Sequence, residues 1–302
     1  MTDYLTTREV AGLLRIKERK VYDLAARGQI PVSKSFGKLL FPRADIEAWI
    51  AGGIRDGGTA APALSVPAQT ARRTRTPDIV VGSHDPLLDW ALRESGSGLA
   101  TYFDGSTDGL ERLGAAGGVA AGLHLYDADQ DAWNTPVRLG ALADAPLVLV
   151  EWARRARGLI TPSGSNTELK GLADIAGLRR TARQDGAGAE VLFRVLAERE
   201  GMVLTSEPKP ERVRTETDAA LAVLEGRADV AFGLKAHAHQ MGLRFTPLIE
   251  ERFDLLVCRA SWFEPPLQRL FAFCRSAAFA ERASTLAGYD VSGLGTVHHN
   301  GP

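Results

Sequence analysis

The chain has 302 residues, a formal net charge of -1, and 45% hydrophobic against 24% charged residues, an ordinary globular composition with room for two or three domains. No apolar run approaches the roughly 18–20 residues of a membrane span, and the polar start MTDYLTTREV lacks the basic-then-apolar order of a signal peptide. Two cysteines, Cys258 and Cys274, each inside an apolar pattern, exclude a disulfide framework and read as small buried hydrophobes.

A cytoplasmic protein with no membrane partner is therefore expected. The small net charge hides an asymmetry. Residues 1–76 carry 13 Lys/Arg against 7 Asp/Glu, a net +6, which leaves -7 on the remainder. A basic head on an acidic body predicts that the head alone meets a polyanion.

In the head, LTTREVAGLLRI starts with Thr6 or Thr7 as N-cap and sets Val10, Leu13 and Leu14 on one helical face. KERKVYDLAARG keeps Val21 and Leu24 three apart for the core, turning Lys17, Arg19 and Lys20 outward before Gly28 ends the helix. QIPVSKSFGKLLFP reads as a hairpin-like wing with its turn at Gly37 and Lys38. Pro42 and RADIEAWI then give a closing helix that buries Ile46, Trp49 and Ile50. Two short helices joined tightly, the second basic at its start, form the arrangement by which a helix-turn-helix enters a major groove. The head ends near Ile50. AGGIRDGGTAAPALSVPAQTARRTRT has no sustained period and reads as a linker, whose Arg72, Arg73 and Arg75 either touch DNA phosphates or are simply solvated.

From Pro77 the pattern alternates. PDIVVGS is a strand, DPLLDWALRES a helix, GLATYF a strand, DGSTDGLERL a loop opening a helix, and GVAAGLHLYD a third strand, an order that predicts parallel pairing with crossover helices. In such sheets ligands sit beyond the carboxyl ends of the strands. Those ends deliver Ser83, His84 and Asp85, then Asp104, Ser106 and Thr107, then His124. Further on, LRRTAR reads as a strand that turns through Gln184, Gly186, Ala187 and Gly188 into a helix. The turn is either a tight connection or an anion site, because the first N–H groups of a helix lack internal partners. Thr215 and Thr217 precede another helix, and VAFG is again a strand. Convergence of several hydroxyl- and glycine-bearing helix starts favours a binding cleft.

His237 and His239, two apart, face different ways on a helix and make a poor metal pair. His298 and His299 lie in a tail expected to be disordered. Neither a nucleophile elbow nor a GxxxxGK[ST] phosphate loop occurs, so no catalytic constellation is found and no enzyme is expected.

The head resembles the excisionase and MerR-like winged helix-turn-helix family through Leu5, Thr6, Glu9, Val10, Ala11, Leu13, Leu14, Val21, Tyr22, Gly28, Ile30, Pro31, Phe41, Asp45, Ile46 and Trp49. The resemblance implies binding of double-stranded DNA, with Lys17, Arg19, Lys20 and Tyr22 on the groove side and Lys34, Lys38 or Arg43 against phosphates. It also implies a homodimer, since two half-sites multiply specificity.

The body resembles the periplasmic-binding-protein-like domain, in the subgroup attached to DNA-binding heads and to molybdopterin biosynthesis proteins. The carrying segments are GSHDPLLD (82–89), DGSTDGLERL (104–113), GLHLYD (122–127), RGLITPSGS (157–165), RQDGAGAE (183–190), GRADVAFG (226–233), and ERFDLLV with GYD near 251 and 288. The resemblance implies an α/β body of two lobes in a type II fold that clamps a ligand between them. The expected division is a winged helix-turn-helix at 1–51, a linker at 52–77 and a sensor at 78–302, with lobe 1 at about 78–160 and 248–296 and lobe 2 at about 161–247.

The same resemblance points to molybdate, tungstate or a pterin-type molybdenum-cofactor molecule as effector, with no cofactor required. Neutral donors suit a tetrahedral dianion. Ser83, Ser106, Gln184, Gly186 and Gly188 are the leading contacts; His84, Asp85, Thr107, His124, Ala187 and Thr215 complete the set. His124 reads equally as a satisfied core histidine, and Asp85 and Asp104 either suit a ligand with amino groups or cap helices. The leading expectation is a ligand-responsive transcription regulator that senses a small anion. Two alternatives are an enzyme or carrier of molybdenum-cofactor metabolism, which lacks a catalytic group here, and a solute-binding transport protein.

Overall fold

The computed structural model describes residues 4–14, 16–26, 30–35, 38–43, 45–47, 76–164, 169–202 and 208–302, and the chain divides into two compact units, Met1–Arg72 and Arg73–Pro302.

The first unit runs β1 (Tyr4–Leu5), α1 (Thr7–Leu14), α2 (Glu18–Ala26), β2 (Ser33–Ser35) and β3 (Lys38–Pro42). Thr6 is the N-cap of α1. Its N–H donates to Glu9 Oε2 at 2.7 Å and the Glu9 N–H donates back to Thr6 Oγ1 at 3.4 Å, a reciprocal cap that satisfies two orphan donors. β3 pairs antiparallel with both β1 and β2. Ser35 lies opposite Lys38, so Lys38 belongs to the strand and not to the turn expected at Gly37 and Lys38; Gly37 is outside the described residues, as are Gly28, Trp49, Ile50 and the linker arginines. Val10, Val21, Phe41 and Ile46 are fully buried at the centre. Leu13 is 47% exposed, against expectation. Thr7, Val10, Ala11 and Leu14, spaced three or four apart, already fill the inward stripe of α1 and leave Leu13 to one side of it.

The second unit begins with the expected alternation: β4 (Ile79–Gly82), α3 (Pro86–Glu94), β5 (Ala100–Phe103), α4 (Ser106–Gly114) and β6 (Ala120–Leu123), with β4 parallel to both β5 and β6. The third strand is shorter than GVAAGLHLYD suggests. The Asn134 side chain accepts from the Leu125 N–H at 2.7 Å and donates to the Leu123 carbonyl at 3.2 Å, which ends β6 and starts a separate hairpin of β7 (Tyr126–Asp127) and β8 (Ala132–Trp133).

Then follow β9 (Leu147–Thr161), β10 (Thr181–Ala182), α5 (Gly188–Arg199), β11 (Glu211–Arg212), α6 (Glu216–Leu224), β12 (Ala231–Leu234), α7 (Lys235–Gln240), β13 (Arg244–Cys258), α8 (Pro265–Phe273), α9 (Ala277–Thr285), β14 (Tyr289–Asp290) and β15 (Val297–Asn300). β9 and β13, 15 residues each, pair antiparallel from Leu147–Cys258 to Thr161–Arg244. They form a spine about 50 Å long.

Apolar residues at the two ends of the spine build different cores. Trp152 and Phe253 join Leu87, Leu88, Leu270 and Phe279, whereas Leu159 joins Leu192, Phe193, Val230 and Phe232. Between these cores the spine carries Arg155, Arg157 and Glu251, all buried. Gly158 lies at this crossing, where an added Cβ would fall 2.0 Å from the Thr246 carbonyl oxygen. The tail expected to be disordered is strand β15, paired with β9. The otherwise open edge of β9 recruits it, and His298 Nε2 lies 2.7 Å from the buried Glu151 carboxylate while His299 Nε2 meets the Ala143 carbonyl at 2.7 Å.

Candidate functional site

The ends of β4 and β5 and the starts of α5 and α6 converge on a cleft of about 370 Å³, its mouth included. Of the residues singled out from sequence, Ser83, His84, His124, Gln184, Ala187 and Thr215 line it. Ser106 stands directly behind, its hydroxyl 2.8 Å from Ser83 Oγ and accepting from the His124 N–H at 3.2 Å. Thr107 is exposed and packs beside Gly186, and Gly188 abuts the His124 ring.

Asp85 lies outside the cleft lining. It caps α3 by accepting from the Leu88 N–H at 2.7 Å, and it also accepts from Trp152 Nε1, Arg155 Nη1 and the Tyr289 hydroxyl at 3.0, 2.8 and 2.7 Å. A fully buried carboxylate with four donors has no capacity left for a ligand.

The four helix starts around the cleft differ in what closes them. Asp85 caps α3, and Thr215 and Asp218 cap α6 reciprocally at 2.9 and 3.1 Å. The starts of α4 and α5, at Gly105 and Ala187, have no side-chain cap. These two open starts come from opposite sides of the charged crossing and nearly touch: a Cβ on Gly105 would sit 3.2 Å from the Gly186 carbonyl oxygen. Their first N–H groups form a donor set that favours negative charge. Asp104 spans the mouth, accepting from Arg214 Nη2 at 2.5 Å through its carboxylate and from Gln184 Nε2 at 3.4 Å through its carbonyl.

Under the cleft floor runs a chain of buried ions that the sequence reading missed. Asp85 pairs with Arg155 at 2.8 Å, Arg155 with Glu251 at 2.5 Å, Glu251 with Arg157 at 2.7 Å, Arg157 with Glu216 at 2.9 Å, and Glu216 with Arg183 at 3.1 Å. Three guanidiniums balance three carboxylates. Signals existed: Arg155 and Arg157 share one face of a strand by their spacing of two, and Glu251 is an acid in a second apolar strand. Arg183 stood at the start of the singled-out turn. Its Nε is buried without a partner, as are Gln184 Oε1 and His84 Nδ1, so polar capacity is left over where a ligand would lie.

Burial pushes the Glu216 carboxyl up, but the pull of Arg157 and Arg183 is larger and brings it down to about 2; Arg155 and Arg157 hold Glu251 well below the usual carboxylate range in the same way. A carboxylate whose folded value is depressed contributes stability that is complete above its unfolded value and lost as pH falls toward the folded one. The expected result is a melting temperature nearly constant between about pH 7 and pH 5 that declines from about pH 4.5 toward pH 2, measured by circular dichroism. A flat profile down to about pH 3 would show that these carboxylates are not linked to folding.

Among the described residues no group of three or more His, Cys, Asp or Glu is arranged to hold a metal ion, and no helix is long and apolar enough to cross a membrane. Residues 4–53 match the sequence model of a helix-turn-helix domain, and residues 89–275 match that of the PBP (periplasmic-binding-protein) superfamily domain. The uncharacterized protein YvgK of Bacillus subtilis (strain 168) is 26% identical over 306 residues, covering 98% of each chain. Among solved structures, a putative phosphate ABC transporter substrate-binding protein with bound phosphate from Clostridium perfringens is similar in fold, with a TM-score of 0.53 and 12% identity over 71% of this chain and 99% of that one. The model match covers more than half of the sequence, and the chain belongs to the PBP superfamily-domain family, with a helix-turn-helix domain at its N-terminus.

Proposed function

We propose that the protein is a one-component transcription regulator whose head binds double-stranded DNA and whose body senses a small tetrahedral oxyanion, with molybdate or tungstate as the leading effector. The observation that carries the oxyanion reading is the pair of open helix starts at Gly105 and Ala187, brought together from two halves of the body while the neighbouring starts are capped. The hydroxyl of Ser83, held from behind by Ser106, and the guanidinium of Arg183 add donors beside them. The phosphate bound by the structural relative supports the same class of ligand. Closure of two lobes about the spine is the response this reading assigns to effector binding.

Calorimetric titration with molybdate, tungstate, phosphate and sulfate tests the reading. At least one of them binds at micromolar affinity or better; Ser83→Ala weakens it by about 10-fold, the worth of a hydrogen bond to a charged group, and Ser106→Ala weakens it by less, through the Ser83 hydroxyl that it orients. No binding by any of the four would end the oxyanion reading and turn attention to a larger ligand.

On the head, Lys17, Arg19, Lys20 and Tyr22 are exposed together at the start of α2, and Arg43 is exposed beyond the wing. Joint replacement of Arg19 and Lys20 by alanine lowers operator affinity and reduces the slope of log affinity against log salt by about 2, one for each phosphate that is no longer neutralised. An unchanged slope would remove these side chains from the interface. A homodimer follows from the same reading, and sedimentation of the full chain tests it.

A further inference from the structure

His124 sets a hydrogen-bond acceptor among the cleft's donors. The residue follows β6, is 4% exposed, and stacks on Phe253 with ring centroids 5.9 Å apart. Its Nδ1 lies 3.1 Å from Glu251 Oε2. Glu251 also pairs with Arg155 Nη2 at 2.5 Å and accepts from Arg157 Nε and Nη2 at 2.7 and 3.0 Å. A carboxylate held by two guanidiniums is ionised and can only accept, so Nδ1 carries the hydrogen.

No carboxylate is left to call a second proton onto the ring. Glu251 is shared with Arg155 and Arg157, and these are further balanced by Asp85 and Glu216. Burial, aided by the two guanidiniums, outweighs Glu251 and lowers the tendency of His124 to become imidazolium. Nε2 is then a bare lone pair, and it makes no hydrogen bond to any described residue. That edge of the ring faces the open start of α5: a Cβ on Gly188 would meet both Cε1 and Nε2 at 2.9 Å.

A lone pair beside the place proposed for an oxyanion repels an oxygen that carries only lone pairs itself. It is satisfied by an oxyanion that offers an acidic site. Resting on the oxyanion reading above, we propose that His124 makes the cleft selective for oxyanions that can engage a nitrogen lone pair, and selective against sulfate. The engagement is either with a proton, as on monohydrogen phosphate or arsenate, or with a metal centre able to accept a further ligand, as in molybdate and tungstate. In the second case the nitrogen donates its pair to the metal, nothing is oxidised or reduced, and no group need leave. Sulfate offers neither site at neutral pH.

The test is calorimetry on the full chain with sulfate, phosphate and molybdate at about pH 6.5 and about pH 8.5, in buffers of different ionisation enthalpy so that proton uptake is read directly. Wild type is expected to prefer its best ligand over sulfate by about 100-fold, the effect of one badly matched buried polar group. His124→Asn keeps an amide N–H in the place of Nδ1 for Glu251 and removes Nε2; it brings sulfate to within about 5-fold of the best ligand. His124→Gln sets an amide donor near the former Nε2 and raises sulfate affinity outright. A phosphate preference that persists at about pH 8.5, where the anion is monohydrogen phosphate with one proton left, and that involves no net proton uptake identifies that proton as the acid site. A molybdate preference independent of pH, with a loss of tetrahedral character in the Mo K-edge spectrum, identifies the metal.

Three outcomes overturn the proposal while leaving the oxyanion reading intact: sulfate binding wild type as tightly as the other anions, a selectivity unchanged in both folded variants, or sulfate binding with uptake of one proton, which would make His124 a donor. Failure of these three anions and of tungstate to bind wild type overturns the oxyanion reading itself, and this proposal with it.

Discussion

Replacing Arg157 by leucine is expected to destabilise the Arg73–Pro302 unit by about 3–5 kcal/mol, the usual cost of removing one partner from a buried ionic network. Arg157 is fully buried and binds two carboxylates at once, Glu251 through Nε and Nη2 at 2.7 and 3.0 Å and Glu216 through Nη1 and Nη2 at 3.1 and 2.9 Å. Leucine leaves Glu251 to Arg155 and Glu216 to Arg183, so two buried carboxylates lose half of their compensation. For a unit of this size the loss lowers the melting temperature by about 10 °C. Lysine at 157 recovers little, because one ammonium cannot reproduce two forked contacts. Combining Arg157→Leu with Glu216→Leu restores part of the loss, since the second change removes a stranded charge, and the coupling energy of the cycle measures the pair. The single leucine variant also loses stability less steeply in acid, because the guanidinium that depresses Glu216 is gone. A single-mutant cost under about 1 kcal/mol would mean that water reaches these groups in solution and that the network does not hold the spine together.

The network also explains how far the site could be read from sequence. Hydrophobic period was enough for β4, α3, β5, α4 and β12, because the strands are short apolar runs and the helices are amphipathic, with Gly, Asp or Ser at their boundaries, and β4 and β12 are buried. Placing Ser83, His84 and His124 at one cleft followed from the parallel order of β4, β5 and β6, whose ends share one edge of the sheet, whereas Gln184 reaches the cleft from β10 in a separate two-stranded sheet. The pairing of Arg157 with Glu216 and Glu251 did not follow. It depends on the register of β9 against β13 over 15 residues, including a shift between Pro247 and Ile249, and on where α6 starts; no local pattern encodes either. Leu13 was misplaced for a narrower reason, since a leucine three after Val10 fits a helical face unless Ala11 and Leu14 already fill it. The His298–His299 tail was misread because two histidines near a terminus carry no signal of a strand; the buried Glu151 that receives His298 lies 147 residues away in the chain.

Gly105→Ala is expected to weaken effector binding by about 10- to 100-fold while leaving the body folded. Gly105 has φ +112 and ψ 164, a backbone region that only glycine enters freely, and a residue with a Cβ there is strained by about 1–3 kcal/mol. The new methyl also presses on the Gly186 carbonyl at 3.2 Å and on Ala187 Cα at 3.5 Å, both on the far side of the cleft. Both penalties ease if the start of α4 rotates and withdraws from the start of α5. The strain is therefore relieved in an open arrangement and fully felt in a closed one, so it subtracts from binding rather than from folding. A penalty of about 1.4–2.8 kcal/mol on closure is a 10- to 100-fold loss of affinity. Gly96→Ala is the matching control. Gly96 has φ +60 with nothing near its missing Cβ and does not line the cleft, so alanine there costs stability through backbone strain and leaves binding unchanged. If Gly96→Ala melts a few degrees early and keeps the effector, while Gly105→Ala melts close to wild type and loses it, the two open helix starts must come together for binding. Equal effector affinity in Gly105→Ala and wild type would show that the ligand is held by one side of the cleft alone, and the clamp between Gly105 and Ala187 would have to be abandoned.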